Sequence, residues 1–164
     1  MNIRTIALAL LLAATPAFAV ELKPFVRGSW QQLRKAHEGQ PVIVHFWGVT
    51  CAPCMEDLPK WGALQRERPR AALIFVASDP VPIEAPQILA AITKTGIGAS
   101  ENWMFADAFG DRLRYEVNPT WGGEMPYTVL IGRDGEMTPI SGVTDLKAIR
   151  KWLGRQTAET GRPK

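Results

Sequence analysis

Cys51 and Cys54 are the only cysteines in this 164-residue chain, and only Ala52 and Pro53 lie between them. They follow the apolar run 42–47 and open a helical pattern, so the sequence predicts a buried strand that leads directly into a helix beginning at this pair. The N–H groups and dipole of a helix N-terminus favour thiolate over thiol, and the thiolate is the species that attacks a disulfide. A disulfide that closes so short a loop stabilises a fold little. The pattern therefore indicates redox chemistry rather than a structural staple.

Residues 1–19 have the pattern of a secretory signal peptide. Arg4 supplies the positive charge, the run 6–14 is apolar, and Ala17-Phe18-Ala19 is a small-x-small cleavage site. A retained membrane anchor is the alternative, but the run is shorter than the ~20 residues of a spanning helix and Pro16 follows it. We expect cleavage after Ala19 and delivery to the periplasm, an oxidising compartment.

Length and charge restrict the expected organisation of the rest. Removing residues 1–19 from the 164-residue chain leaves 145 residues, which suit one domain with a sizeable core. We expect that domain to span 20–154 and a frayed tail to occupy 155–164. The formal net charge is only +3, and no basic cluster is interleaved with aromatics, so nucleic acid is not an expected partner. No added dimerisation domain is evident, so we expect a monomer.

Apolar periodicity and turn residues predict an α/β domain whose sheet is parallel early and antiparallel late. The predicted strands are 42–47, 72–77, 103–105, 126–131 and 136–141, and the predicted helices are 30–37, 54–67, 84–95 and 144–153, with a helical turn at 110–115. Ser29 with Gln32 suggests a capping box for the first helix. Thr144 is expected to cap the last helix and Gly154 to end it.

Two segments resemble one known family. Residues 46–59, Phe-Trp-Gly-Val-Thr-Cys-Ala-Pro-Cys-Met-Glu-Asp-Leu-Pro, are similar to the active-site segment of the thioredoxin superfamily, and more narrowly of the exported TlpA/ResA-like thiol-disulfide oxidoreductases. Residues 125–135 resemble that family's x-Pro-x-Thr-x-x-Ile-x-x-x-Gly segment. The resemblance implies a thioredoxin-like fold, with a central mixed β-sheet flanked by helices and the extra strand-helix insertion of the TlpA-like group.

The resemblance also implies roles for residues of the two segments. Cys51 would be the nucleophile, and Cys54 would resolve the mixed disulfide. Pro126 would be a cis proline facing the cysteines, with the backbone of Met125 exposed to pair with an extended substrate segment. No cofactor other than the Cys51–Cys54 dithiol is implied.

Four further residues are weaker candidates. His45 stands where ordinary thioredoxins have a buried acid, so it is either a neutral core histidine or a base for Cys54. Glu56 could serve in proton transfer or stabilise the helix dipole. Trp47 is expected beside the disulfide, and Trp121 near the Pro126 loop, where both could contact substrate.

The expected activity is reduction of disulfides in exported proteins, such as apocytochrome c or copper-handling proteins. A reductant in an oxidising compartment needs an external source of electrons, so a membrane-embedded electron donor is implied. The alternatives are a net oxidant or isomerase, a copper(I)-binding chaperone module that uses the same thiols, and a catalytically idle adaptor. A zinc site is not expected, because four ligands are needed and His37 and His45 are the only histidines available to join the cysteines.

Overall fold

The computed structural model describes residues 20–67 and 69–158, so the expected signal peptide at 1–19 lies outside the described residues. Its strands are β1 (Leu22–Phe25), β2 (Val42–Trp47), β3 (Ala72–Ala77), β4 (Glu101–Phe105), β5 (Tyr127–Ile131) and β6 (Met137–Ser141). Its helices are α1 (Ser29–Ala36), α2 (Ala52–Arg66), α3 (Ala85–Thr95), α4 (Gly110–Val117) and α5 (Leu146–Ala158).

The strands form one mixed sheet in the order β1-β4-β3-β2-β5-β6. Strands β1, β4, β3 and β2 run parallel to one another. β5 is antiparallel to β2, and β6 is antiparallel to β5. The predicted α/β class and mixed sheet are therefore confirmed. The strand β4 is inserted between β1 and β3, in the part of the chain where the resemblance implied an extra strand and helix.

Two hydrophobic cores lie on opposite faces of the sheet. β2 is buried on both faces, and its residues alternate between the cores. Ile43 and Trp47 pack with α2, α3 and α5 on one face, while Val44 and Phe46 pack with α1 and α4 on the other. We call these the disulfide core and the opposite core, because Cys54 belongs to the first.

Helices α2 and α3 approach each other closely at Gly62. A Cβ atom at this position would collide with the backbone carbonyl oxygen of Thr95, the last residue of α3. Gly62 therefore has a packing role although it lies inside a helix, where glycine is otherwise unfavourable. Helix α2 also continues through Pro59 as one element.

Both edges of the sheet carry a proline in the edge strand, Pro24 in β1 and Pro139 in β6. The carbonyl of Phe25 accepts a hydrogen bond from Ala106 N, so the polar groups of Phe25 point inward and those of Pro24 point away from the sheet. The carbonyl of Glu136 likewise accepts a bond from the β5 side. Pro139 lies three residues further on, so its nitrogen faces outward as well. β6 is therefore an edge strand in which the proline leaves no ladder hydrogen bond unmade.

The start of α1 differs from the prediction. Gly28, with φ 84°, precedes the helix without any side-chain cap, and Ser29 lies inside it. The Ser29 hydroxyl instead accepts a hydrogen bond from Val26 N at 3.0 Å. The expected Ser29–Gln32 capping box is therefore wrong, because Ser29 closes the turn that leads from β1 into α1. β1 itself was not predicted.

The start of α5 also differs. Thr144 is buried, and its hydroxyl bonds that of Thr128 at 3.0 Å, so it does not cap the helix. Asp145 does so instead, because its carboxylate accepts a hydrogen bond from Lys147 N at 2.9 Å.

The predicted end of α5 at Gly154 is wrong, because the helix extends to Ala158. The extension is tied to the loop after β5, where the Arg133 guanidinium donates to the Gln156 carbonyl at 3.0 Å and Arg133 N donates to the Gln156 side chain at 3.2 Å. Residues 155–158 of the expected tail are therefore helical, and 159–164 lie outside the described residues.

Candidate active site

The two cysteines lie at the start of α2, and residues 48–50 connect them to the end of β2. Cys51 is the N-cap residue, its backbone N–H donates to the Gly48 carbonyl at 3.2 Å, and its sulfur accepts a hydrogen bond from Cys54 N at 3.2 Å. Pro53 falls in the first turn, where its missing N–H leaves no helical bond unmade. Cys51 and Cys54 are joined as a disulfide with their Cα atoms 5.2 Å apart.

The two sulfurs differ in access. Cys51 is partly exposed, whereas Cys54 is 0% exposed and belongs to the disulfide core. An external thiol can therefore attack the Cys51 sulfur, and the Cys54 sulfur is the one displaced. Cys51, the nucleophile that the resemblance implied, is thus the more accessible of the two sulfurs.

Pro126 precedes β5, and its peptide bond with Met125 is cis. The antiparallel register pairs Phe46 with Tyr127, which places Pro126 beside Trp47 at the end of β2 that leads to the cysteines. Met125 and Cys51 are both partly buried and pack against the disulfide core. The sheet thus brings the two segments that carry the family resemblance close together, at the end of β2 that leads to the cysteines.

Ser78, the first residue after β3, connects both halves of this site. Its hydroxyl donates to the Met125 sulfur at 3.2 Å and lies 3.3 Å from the Trp47 carbonyl oxygen. Its backbone N–H donates to the same carbonyl at 2.8 Å. Ser78 therefore ties the end of β2 to the residue before the cis proline.

Asp79, the next residue, holds the turn that precedes Cys51. Its carboxylate accepts hydrogen bonds from Val49 N at 3.0 Å, Thr50 N at 2.9 Å and Thr50 Oγ1 at 2.8 Å. The carboxylate lies so close to Gly48 that a Cβ there would be 2.7 Å from Asp79 Oδ1 and 3.1 Å from Met125 Cε. Glycine at 48 is therefore what allows Asp79 to reach the turn. The sequence analysis identified neither Asp79 nor Ser78.

His45 is buried in the same layer as the disulfide. Its Nδ1 lies 2.9 Å from Thr128 Oγ1, and its ring centroid lies 4.7 Å from that of Trp61. Burial lowers the pKa of His45 from 6.5 to about 3, because the charged ring would lose its hydration. His45 Nε2 has no hydrogen-bond partner among the described residues. The ring is therefore neutral at pH 7.

Asp57 is a buried carboxylate that the sequence analysis did not single out. It follows Cys54 by three residues in α2, so the two lie on the same helix face. Its oxygens accept hydrogen bonds from Trp61 Nε1 at 2.9 Å and Lys60 Nζ at 3.2 Å. Glu56, the acid that was predicted, is exposed and lies beyond the first turn of α2, where the helix dipole acts weakly.

The structure leaves little surface on Trp47 or Trp121 for contact with substrate. Trp47 is fully buried in the disulfide core, which agrees with its expected packing beside the disulfide but leaves no surface for substrate. Trp121 is 6% exposed and belongs to the opposite core, where it stacks on Tyr127 with ring centroids 4.4 Å apart. Its indole N–H donates to the Glu124 carbonyl at 2.9 Å, and this bond fixes the loop before Pro126.

The described residues, 20–67 and 69–158, contain no cluster of three or more histidine, cysteine, aspartate or glutamate side chains arranged to hold a metal ion. They also contain no helix long and apolar enough to cross a membrane.

The sequence matches no protein-family model and no curated protein. Its fold, however, is similar to many solved structures. MTB DsbF, solved in mixed oxidised and reduced forms, has a TM-score of 0.60 and 16% identity over 74% of this chain and 84% of that one. A secreted Mycobacterium tuberculosis disulfide oxidoreductase homologous to E. coli DsbE has a TM-score of 0.57 and 14% identity over 74% of this chain and 85% of that one.

StoA from Bacillus subtilis has a TM-score of 0.53 and 19% identity over 70% of this chain and 83% of that one. The chain therefore adopts the thioredoxin-like fold that its two family-like segments predicted.

Proposed function

We propose that this protein is a periplasmic thiol-disulfide oxidoreductase that reduces disulfides in other exported proteins. The observation that carries the proposal is the unequal access to the disulfide, with Cys51 partly exposed at a helix N-terminus and Cys54 fully buried behind it. Such an arrangement suits a cycle in which one sulfur meets every partner and the other acts only within the protein.

The cycle begins with both thiols reduced. The Cys51 thiolate attacks one sulfur of the substrate disulfide, a mixed disulfide forms, and the substrate's other sulfur leaves as a thiolate that takes up a proton. The Cys54 thiolate then attacks the Cys51 sulfur and displaces the second substrate thiolate. Two electrons have passed to the substrate, and the Cys51–Cys54 disulfide remains. The helix N-terminus stabilises the Cys51 thiolate at the start of the cycle.

Met125 and Pro126 would hold the substrate during this exchange. The Met125–Pro126 peptide bond is cis, and it lies beside the end of β2 that leads to the cysteines. An extended segment of substrate could pair with the backbone N–H and C=O of Met125, as a strand adds to an open sheet edge. The Ser78 bond to the Met125 side chain would keep that backbone in place.

Cys54 must lose a proton before it can attack, and Asp57 is the group that we propose accepts it. Asp57 is buried on the face of α2 that carries Cys54. His45 is a weak base because its pKa is about 3, and Glu56 is exposed. An Asp57→Asn variant should therefore form the Cys51–Cys54 disulfide more slowly in a single-turnover assay while the first attack keeps its rate. If the variant formed the Cys51–Cys54 disulfide at the wild-type rate, this role would be excluded.

The direction of electron flow and the partners rest on the resemblance to TlpA/ResA-like proteins. A reductase in an oxidising compartment needs recharging, so we propose a membrane-embedded electron donor. The proposed substrates are exported proteins such as apocytochrome c or copper-handling proteins. Equilibration with glutathione buffers measures the direction, because thioredoxin-fold pairs span about −270 to −120 mV. A potential near −120 mV would make the protein a net oxidant.

The experiment that tests the activity uses the Cys54→Ala variant expressed in the exporting cell. Without Cys54 the mixed disulfide on Cys51 cannot be resolved, so substrates should accumulate as covalent complexes that reductant releases. The Cys51→Ala variant is the matched control and should trap none. A protein that traps nothing but binds copper(I) through both thiols would instead be a chaperone module. Wild-type protein that cannot reduce insulin would indicate an adaptor.

Localisation has its own measurement. Cell fractionation and mass spectrometry should find the protein in the periplasm with Val20 as its first residue. A protein that keeps residues 1–19 in the membrane fraction would be anchored instead.

A further inference from the structure

A cleft of about 430 Å³ lies between the segment that follows β3 and the segment that follows β4. Asp79 lines this cleft, and the same carboxylate holds the backbone of Val49 and Thr50 just before Cys51. Asp79 therefore connects the cleft to the turn that presents the accessible sulfur. None of the roles assigned so far uses the cleft.

The rim of the cleft carries exposed apolar side chains. Val81 and Phe109 line it from opposite sides and are 50% and 57% exposed, although large hydrophobic side chains normally lie inside. Ile83 and Met104 are partly buried and line it as well. An exposed apolar surface in a cleft indicates a binding site.

The charge of the cleft is opposite to that of the chain. Three carboxylates, Asp79, Asp107 and Asp111, line it with one guanidinium, Arg114, so its formal charge is −2 in a protein of net charge +3. Arg114 pairs with Asp111 at 2.8 Å. Asp107 accepts a hydrogen bond from Phe109 N at 2.9 Å and so fixes the backbone that presents the aromatic ring.

We propose that this cleft binds the stretch of substrate polypeptide that flanks the target cysteine, and that it selects stretches with a large apolar side chain next to a lysine or arginine. The inference rests on the proposed function and adds the substrate class. The apolar side chain would contact Phe109 and Val81, and the cation would be attracted by Asp107 and Asp111. The charge complementarity and the Asp79 link to the Cys51 turn are the reasons to assign the cleft to substrate.

The test compares two peptide disulfides that differ only beside the cysteine, one with Leu-Lys and one with Ser-Glu. Wild-type protein should reduce the Leu-Lys peptide with the higher kcat/KM. The Phe109→Ala variant should lose about tenfold in kcat/KM on the Leu-Lys peptide. It should keep its rate on a small aromatic disulfide that does not reach the cleft. Tyr115→Ala is the matched control, because Tyr115 is exposed but lies outside the cleft lining.

The charge contribution has a separate variant. With Leu-Lys and Leu-Glu peptides, which differ only in charge, Asp107→Asn combined with Asp111→Asn should remove the preference for lysine over glutamate, and the wild-type preference should weaken as salt is added. The amide oxygen that Asp107→Asn introduces would still accept the Phe109 N–H bond, so the loop is retained. Glu38→Gln, an exposed carboxylate on another surface, is the control.

Three outcomes overturn the inference. The first is unchanged peptide selectivity in the Phe109 and aspartate variants. The second is equal use of both peptides by the wild type. The third is a Phe109→Ala effect on self-association in sedimentation experiments without any effect on peptides, because the cleft would then bind a second copy of the chain.

Binding of unreactive peptides, with serine in place of cysteine, separates this inference from the proposed function. If the wild type reduces no disulfide but still binds Leu-Lys in preference to Ser-Glu, the proposed function fails and the cleft assignment stands.

Discussion

His45 illustrates what a sequence can and cannot assign at the scale of one residue. Its position before the cysteines predicted a buried histidine, and the choice between core residue and base stayed open. The structure surrounds it with Trp61, Phe75 and Thr128. That environment depresses its pKa and makes it a poor proton acceptor at pH 7. The environment decides the role, and it depends on contacts that span 83 residues of chain.

The pKa of His45 predicts a pH dependence of stability. The unfolded state binds a proton on this residue below pH 6.5, whereas the folded state does so only below about 3. The stabilisation is therefore complete above pH 6.5 and is lost as the pH falls toward 3, with a slope of up to about 1.4 kcal/mol per pH unit. Urea unfolding between pH 3.5 and 7 should show this slope in oxidised wild type and a smaller one in His45→Gln.

His37→Gln is the control for that measurement, because His37 is the other histidine of the chain and is partly exposed. It should leave most of the slope intact. Identical slopes in wild type and His45→Gln would show that the histidine is charged in the folded state.

The local geometry at the motif residues agrees with what the sequence implied. Cys51, Cys54 and Pro126 lie where the motifs implied, and the sheet brings their segments together. Trp121 was assigned to a groove because a loop aromatic near Pro126 suggested one. Its side chain points into the opposite core, and a loop has no periodicity from which that direction could be read.

At the scale of elements, Asp79 could have been found from the sequence. It follows β3 directly, as the cysteine turn follows β2, and both strands were predicted correctly. The carboxyl ends of adjacent parallel strands meet at one edge of a sheet, which is where α/β proteins place their sites. The predicted site residues did not include Asp79.

We expect Asp79→Ala to disturb the active-site turn. The substitution removes three hydrogen bonds to Val49 and Thr50, so Cys51 should lose its fixed position at the start of α2. The rate of reduction of a small disulfide should fall about tenfold, and the Cys51 thiol pKa, measured from the pH dependence of alkylation, should move. Asp134→Ala is a control in the hairpin after β5. An unchanged rate and thiol pKa would show that the turn holds its shape without Asp79.

Two glycines inside helices should respond to alanine in opposite ways. Gly62→Ala forces a methyl group against the Thr95 carbonyl and should destabilise the protein by about 1–3 kcal/mol. At Gly154 a Cβ meets no atom within 4 Å, so Gly154→Ala should stabilise α5 by about 0.5–1 kcal/mol. Urea unfolding of both variants measures the difference. The same sign for both would mean that helix propensity rather than α2–α3 packing dominates at Gly62.

For the whole molecule, the predicted architecture was right in its strand-helix alternation and incomplete at its margins. Five of the strands were predicted, because apolar runs bounded by turn residues mark them. The exception, β1, has four residues including Pro24 and gains its identity only by pairing with β4. The end of α5 was missed for a related reason, since the Arg133–Gln156 bonds that accompany its last turn are tertiary.

The sheet should unfold unevenly. Every residue of β2 is buried and the strand has neighbours on both sides, whereas β6 is exposed at an edge. Native-state hydrogen exchange should therefore show β2 amides exchanging only by global unfolding and β6 amides exchanging by local opening with a lower free energy. Equal protection in the two strands would mean that the sheet opens as one unit.

Pro24 and Pro139 have a consequence for how this protein behaves in a crowded compartment. Each presents a ring where an outward-facing amide would stand, so neither border of the sheet offers an unbroken row of donors to a foreign strand. Two molecules that meet at these edge strands cannot easily form a continuous shared sheet or start a fibril. These two prolines are therefore expected to oppose edge-to-edge aggregation at high protein concentration.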